Sequence, residues 1–162
     1  MRFLILILLG LVGAVRAVSA PDLVNVASMK SPPLEEIRYA TSYNFTGAKL
    51  YPFPAAYVRS RLIPCLEAVQ SELAAKGLGL KIYDGYRPLS VQQKMWDLIR
   101  DERFVSNPAM NMGRHTRGTA VDVTLVDKRG RQLPMPSDFD EFSARAFPHR
   151  RHAWLPCRGW PG

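Results

Sequence analysis

Hydrophobic and polar positions change period several times along the chain, and each period predicts an element. Phe3 to Val15 is an almost unbroken apolar run of about thirteen residues, short of the roughly 20 that a membrane-spanning helix needs. Residues 21–53 read as irregular and strand-like, with Tyr43-Asn-Phe-Thr-Gly47 as an aromatic-flanked turn and Pro52 and Pro54 punctuating the entry to a helix. From Ala55 to Lys76, Val58, Leu62, Cys65, Leu66, Val69 and Leu73 fall on one face of a 3.6-residue period, and Gly77 stops it. Pro64 lies inside that span and predicts a kink or a broken first turn. Leu78 to Tyr86 reads as a short buried strand. Pro88 suits the first turn of a second helix with Val91, Met95, Leu98 and Ile99 on its apolar face, ending near Asp101-Glu102.

Residues 103–114 form a polar loop, and Thr119 to Val126 is the clearest strand. Alternation there places Val121, Val123 and Leu125 on one face and Ala120, Asp122 and Thr124 on the other, so the carboxylate is expected to point away from the more apolar side. Asp127 to Arg131 reads as a turn, and Phe139-Asp-Glu-Phe142 is the last stretch with a packing pattern. Phe147 to Gly162 has neither period.

A length of 162 residues suits one domain with one core. Arg2, the apolar run and Val18-Ser-Ala20 before Pro21 form the pattern of a secretory signal peptide over residues 1–20. No later segment is apolar enough to span a membrane, so the expectation is an exported protein, periplasmic or secreted, without a membrane span after cleavage. Cleavage removes Arg2 and Arg16 and no acid, lowering the net charge from +8 to +6. That charge is scattered and lacks aromatic interleaving, which argues against nucleic acid. Residues 143–162, a basic tail, hold four arginines and no acid. Cys65 and Cys157 could pair in an oxidising compartment, although the apolar neighbours of Cys65 favour a buried thiol; without CxxC spacing they form no structural zinc site.

The candidate chemistry lies in Gly113-Arg-His115-Thr-Arg-Gly118-Thr-Ala-Val-Asp122-Val-Thr124. A lone histidine is weak evidence of a metal. An aspartate in a strand is more telling, because strands are poor in Asp and a buried carboxylate needs a partner. A metal ion would satisfy both side chains at once, a turn followed by a strand being able to bring them together.

The pattern His115-x-x-Gly118-x-Ala120-x-Asp122 resembles the zinc motif of the D-alanyl-D-alanine dipeptidases, the vancomycin-resistance type of zinc D,D-peptidase. Tyr39-Ala-Thr41 with Asn44-Phe-Thr-Gly47, Asp84-Gly-Tyr-Arg87-Pro88, Val121-Asp-Val-Thr-Leu125 and Phe139-Asp140 resemble further segments of that family, in order, over residues 35–142. The resemblance implies an α+β fold of the hedgehog-like type: a small, mainly antiparallel sheet with packed helices and the zinc site at a sheet edge. It implies a catalytic domain over residues 21–142, with His115 and Asp122 as two of three protein ligands to Zn2+, Arg87 as transition-state stabiliser and Asp140 as receiver of the substrate's free amino group. The implied reaction is hydrolysis of D-Ala-D-Ala to two D-alanines. Zinc with three protein ligands keeps one position for water and lowers that water's pKa towards about 7. An arginine aimed at the developing oxyanion is a permanently charged donor fork. Without the resemblance, Arg87 reads equally as a surface arginine held by Asp84, and Asp140 as a helix N-cap.

Two departures qualify the implied activity. The family carries its third ligand and general base in a later Glu-x-x-His, and none occurs here: the last glutamate is Glu141, and His149 and His152 lie in the basic tail. The chain reads as a family sequence whose C-terminal part is missing, as in a truncated or frameshifted gene, with residues 143–162 as a divergent tail. The family also usually has serine where this chain has Gly113, which removes one supporting hydrogen bond. With two ligands and no base, weak zinc binding and little turnover are expected. The alternatives are a D,D-carboxypeptidase acting on peptidoglycan stem peptides and a catalytically inactive cell-wall-binding module.

Overall fold

The computed structural model describes residues 22–146; the run expected to be a signal peptide, His149, His152, Cys157 and most of residues 143–162 lie outside the described residues. The central strand is β4 (Leu78–Asp84). Beside it lie β2 (Leu34–Glu35), parallel, and β5 (Asp122–Asp127), antiparallel, in a three-stranded sheet of order β2-β4-β5. A second, antiparallel ribbon pairs β1 (Leu23–Asn25) with β3 (Tyr57–Arg59). Helix α1 (Ile63–Ala74) packs on β4, and α2 (Leu89–Leu98) follows it. The short α3 (Gly113–Thr116) precedes β5. The architecture is α+β, as the resemblance implied, with one parallel pairing in an otherwise antiparallel arrangement.

Three expectations need correction. The helix expected from Ala55 begins only at Ile63, because Tyr57–Arg59 pairs with β1 and residues 60–62 form a 3-10 turn. Pro64 therefore sits in the first helical turn, where no intrahelical donor is lost. The second helix ends at Leu98 rather than Asp101-Glu102. Cys65 is disulfide-bonded rather than a buried thiol; the chain's other cysteine, Cys157, lies outside the described residues.

The expected division of β5 into an apolar inner face and a polar outer face is also wrong. Thr124 and Val126, on the Asp122 face, are buried, whereas Val123 is 39 % exposed. The reason is topological. β5 is the sheet's edge strand, so its residues opposite the Leu80 and Ile82 side of β4 lie at the rim of the core. The core centres on Val26, Val58, Ile82 and Met95, all fully buried. At 25 cal/mol per Å² of apolar area, each such side chain stabilises the fold by roughly 1.5–3 kcal/mol.

Two features of this frame place the site. The register of β4 against β5 shifts between Ile82 and Asp84, setting Asp84 opposite Asp122 across the strands; such a bulge bends a strand and re-aims its side chains. Gly85 then passes so close to β3 that a Cβ would lie 2.7 Å from the Tyr57 carbonyl oxygen, and the Tyr86 N–H donates to that same oxygen at 2.6 Å. Only glycine permits this approach.

Candidate active site

Two carboxylates set opposite each other on neighbouring strands repel unless cations separate them, and the turn after β4 supplies one. Arg87 donates from Nε (3.0 Å) and Nη2 (2.6 Å) to Asp84 Oδ2. Asp84 Oδ1 accepts from the Tyr51 hydroxyl at 2.7 Å and the Gly85 N–H at 2.9 Å. Asp84 is fully buried, and burial pushes its carboxyl above the ordinary range while the Arg87 charge pulls against it. Burial likewise works against the Arg87 charge, but Asp84 outweighs it and keeps the guanidinium's pKa above its ordinary value. Arg87 is therefore a buried, oriented cation and not a surface arginine. Its Nη1 donates to Gln92 Oε1 at 3.0 Å, and Gln92 Nε2 donates to the Ser106 carbonyl at 2.7 Å. The Tyr39 ring lies against the guanidinium, 5.3 Å from Cζ to centroid.

His115 is delivered by α3. Its carbonyl accepts from the Arg87 N–H (3.1 Å) and the Gly118 N–H (2.9 Å), which ties the two sequence motifs through the backbone. Gly118 adopts φ +69°, and a Cβ there would meet Leu23 Cδ2 at 2.8 Å, so both conformation and packing require glycine. His115 Nδ1 lies 2.9 Å from the Gly85 carbonyl oxygen. A carbonyl only accepts, so Nδ1 carries the proton and Nε2 presents its lone pair elsewhere. What it faces is Asp122 Oδ1 at 3.3 Å. Burial opposes protonation of His115, but the Asp122 contact and charge outweigh it and raise its pKa above 6.5. Partial burial opposes ionisation of Asp122, and the His115 contact reverses this and holds its pKa below 3.8.

A lone pair and a carboxylate oxygen 3.3 Å apart need a cation between them, either a proton or a metal. Two ligands about 2.0–2.1 Å from a tetrahedral zinc lie about 3.3–3.4 Å apart, and imidazole nitrogen with carboxylate oxygen is a zinc donor set. The pair fits the metal. Asp84 is also close enough to be grouped with them, the three ligand atoms lying within 4.8 Å. Its oxygens are already taken by four donors, and Oδ2 lies 3.6 Å from Nδ1, on the side of the ring away from the Nε2 lone pair. Asp84 therefore orients Arg87 rather than ligating. Arg87 Nη2 lies 3.7 Å from Asp122 Oδ2, at the margin of the ligand pair.

Arg87, His115 and Asp122 line one cleft of about 690 Å³, which also holds Asp140. Asp140 caps no helix. It adopts φ +60°, accepts from the Tyr39 hydroxyl at 2.8 Å through Oδ1 and from the Phe45 N–H at 3.3 Å through Oδ2. Burial pushes its carboxyl above 3.8 despite those donors. All four residues singled out in the sequence, Arg87, His115, Asp122 and Asp140, thus line the same cavity. Tyr39, Tyr51 and Gln92, none of them given a site role from the sequence, hold this cluster in place. Tyr39 touches two of the four, and its signal was its place in the Tyr39-Ala-Thr41 segment; Gln92 left no signal beyond its place on a helix.

Residues 19–153 match the family model described as D-ala-D-ala dipeptidase, and the chain belongs to that family. It is 36 % identical over 126 residues to the D-alanyl-D-alanine dipeptidase of Escherichia coli strain K12, covering 77 % of this chain and 64 % of that protein. It is 29 % identical over 135 residues to the D-alanyl-D-alanine dipeptidase of Enterococcus faecium, covering 68 % of this chain and 65 % of that protein. The chain thus spans just under two thirds of the length of these curated relatives.

Proposed function

We propose that this chain acts on the D-alanyl-D-alanine dipeptide, hydrolysing it to two D-alanines with zinc held by His115 and Asp122. The observation that carries the reading is the His115 Nε2 to Asp122 Oδ1 separation of 3.3 Å on an imidazole anchored through Nδ1. Zinc bound there would supply a Lewis acid and a water nucleophile available near neutral pH. Arg87 directs its uncommitted N–H groups at the peptide carbonyl oxygen, where negative charge develops, and its bonds to Asp84 and Gln92 spare it reorganisation at that moment. Asp140 receives the free ammonium group, so an acylated or extended amino end forfeits that ion pair. Asp122 and Asp140 both line the cleft that would receive the dipeptide.

The amino-terminal run supports export, and a periplasmic or secreted dipeptidase would meet products of cell-wall metabolism. The 162 residues contain no Glu-x-x-His, so the chain by itself binds zinc weakly and turns over slowly. The test is release of D-alanine by purified protein with and without added zinc. Zinc-dependent release well below the roughly 1–10³ s⁻¹ of ordinary enzymes is expected, abolished by His115→Ala and by Asp122→Ala. Release that is indifferent to zinc, or unchanged in His115→Ala, would overturn the site; ordinary rates with stoichiometric zinc would overturn the slow turnover.

A further inference from the structure

A free dipeptide at neutral pH is a zwitterion, and a cleft that selects it must meet both ends. Asp140 offers the anion for the ammonium end. The cations lining the cleft are Arg87, Arg103, Arg114 and, when protonated, His115. Arg87 is committed to Asp84 and Gln92. Arg103 is folded back on Asp101, donating from Nε and Nη2 at 2.5–3.0 Å. His115 is held between Gly85 and Asp122. Among the described residues, Arg114 is the cleft cation whose guanidinium has no partner.

We propose that Arg114 binds the terminal carboxylate of the dipeptide and is the residue that makes the cleft specific for a free acid. This rests on the dipeptide reading above. Its side chain is exposed, but its backbone is fixed. The Arg114 carbonyl accepts from the Arg117 N–H (3.2 Å), the Thr119 N–H (3.0 Å) and the Thr119 hydroxyl (3.2 Å). It immediately precedes the proposed ligand His115, so the guanidinium springs from the rigid turn that carries the metal site. A planar fork of donors matches a carboxylate in two parallel hydrogen bonds, and an uncommitted fork need break no internal ion pair to make them. Arg87 would face the scissile carbonyl, Asp140 the amino end and Arg114 the acid end. The cleft's fixed charges then mirror those of its ligand, and a chain extended or capped at either end loses one pair.

The experiment is calorimetric titration of the whole zinc-supplemented protein with D-alanyl-D-alanine and, separately, with its C-terminal amide. The unsubstituted protein is expected to prefer the acid by about tenfold, the scale of one charge-assisted pair. Arg114→Met should bring that ratio close to one while leaving amide affinity unchanged, and Arg114→Lys should restore part of it. Thermal unfolding of each variant should match the parent, because the side chain is exposed. An undiminished preference for the acid in Arg114→Met would overturn the assignment and leave the dipeptide reading intact. Equal loss of acid and amide binding in that variant would also overturn it, marking a structural role. Failure of the unsubstituted protein to bind either ligand would overturn the dipeptide reading and this inference with it.

Discussion

The Asp84–Arg87 pair offers the sharpest test of how the site is built. Asp84 is fully buried, its partner nearly so, and the closest contact is 2.6 Å. At an effective dielectric of about 20, Coulomb's law gives an attraction of about 6 kcal/mol at that distance, and desolvation of the two ions offsets most of it. The net worth of the pair is therefore small, but removing one member strands the other in the interior. Asp84→Asn leaves the Arg87 guanidinium only the longer contact to Asp122 at 3.7 Å, and Arg87→Met leaves the Asp84 carboxylate only His115 Nδ1 at 3.6 Å. Each should cost about 3–5 kcal/mol, a fall in Tm of about 12–20 °C for a domain of this size at about 4 °C per kcal/mol. The double variant, with neither charge, should be less destabilised than the sum of the two by at least about 2 kcal/mol. Urea unfolding followed by circular dichroism, in chelator so that metal does not contribute, measures all three. Single costs below about 1 kcal/mol, or additivity within about 0.5 kcal/mol, would refute the claim that these two charges hold each other in place.

Three other expectations follow from the same geometry. Gly118→Ala should destabilise by about 1–2 kcal/mol for the left-handed backbone, and further for displacing Leu23, whose Cδ2 would lie 2.8 Å from the new Cβ; an unchanged urea midpoint would contradict this. Burial raises the Asp140 carboxyl above 3.8, so affinity for the dipeptide should fall as pH drops through a value higher than an ordinary aspartate's. The sign for stability is opposite: the folded state holds this proton longer than the unfolded chain, so Asp140 reduces stability as pH rises from 3.8 through its folded value. Asp140→Asn should flatten both profiles, measured by calorimetry and by thermal unfolding. Gln92→Leu should weaken a phosphinate analogue of the tetrahedral intermediate about tenfold while leaving dipeptide binding unchanged, because Gln92 aims Arg87 at charge that exists only in the transition state; equal loss of both would mark a purely structural role.

The four residues that the fold gathers in one cleft were legible in the chain because their signals are local. His115 and Asp122 share one motif, Arg87 stands in Asp84-Gly-Tyr-Arg87, and Asp140 follows Phe139 in a packing segment. The strand around Leu80 to Tyr83 and the helix after Pro88 were legible for the same reason, since hydrophobic period and proline act over a few residues. The helix boundary at Ile63 was not, because pairing of Tyr57–Arg59 with Leu23–Asn25, far back in the chain, overrode the helical period there.

What the amino-acid order determined by itself was the inventory of donors and the family to which they belong. What only the tertiary structure decided was their division of labour. Asp84 and Asp122 are both aspartates set opposite each other on neighbouring strands, yet one is saturated by Tyr51, Gly85 and Arg87 while the other faces the open lone pair of His115. Which carboxylate holds Arg87 and which is left facing His115 depends on hydrogen bonds between segments up to 33 residues apart. Sequence spacing does not encode such bonds, because it records neighbours along the chain and not partners across the fold.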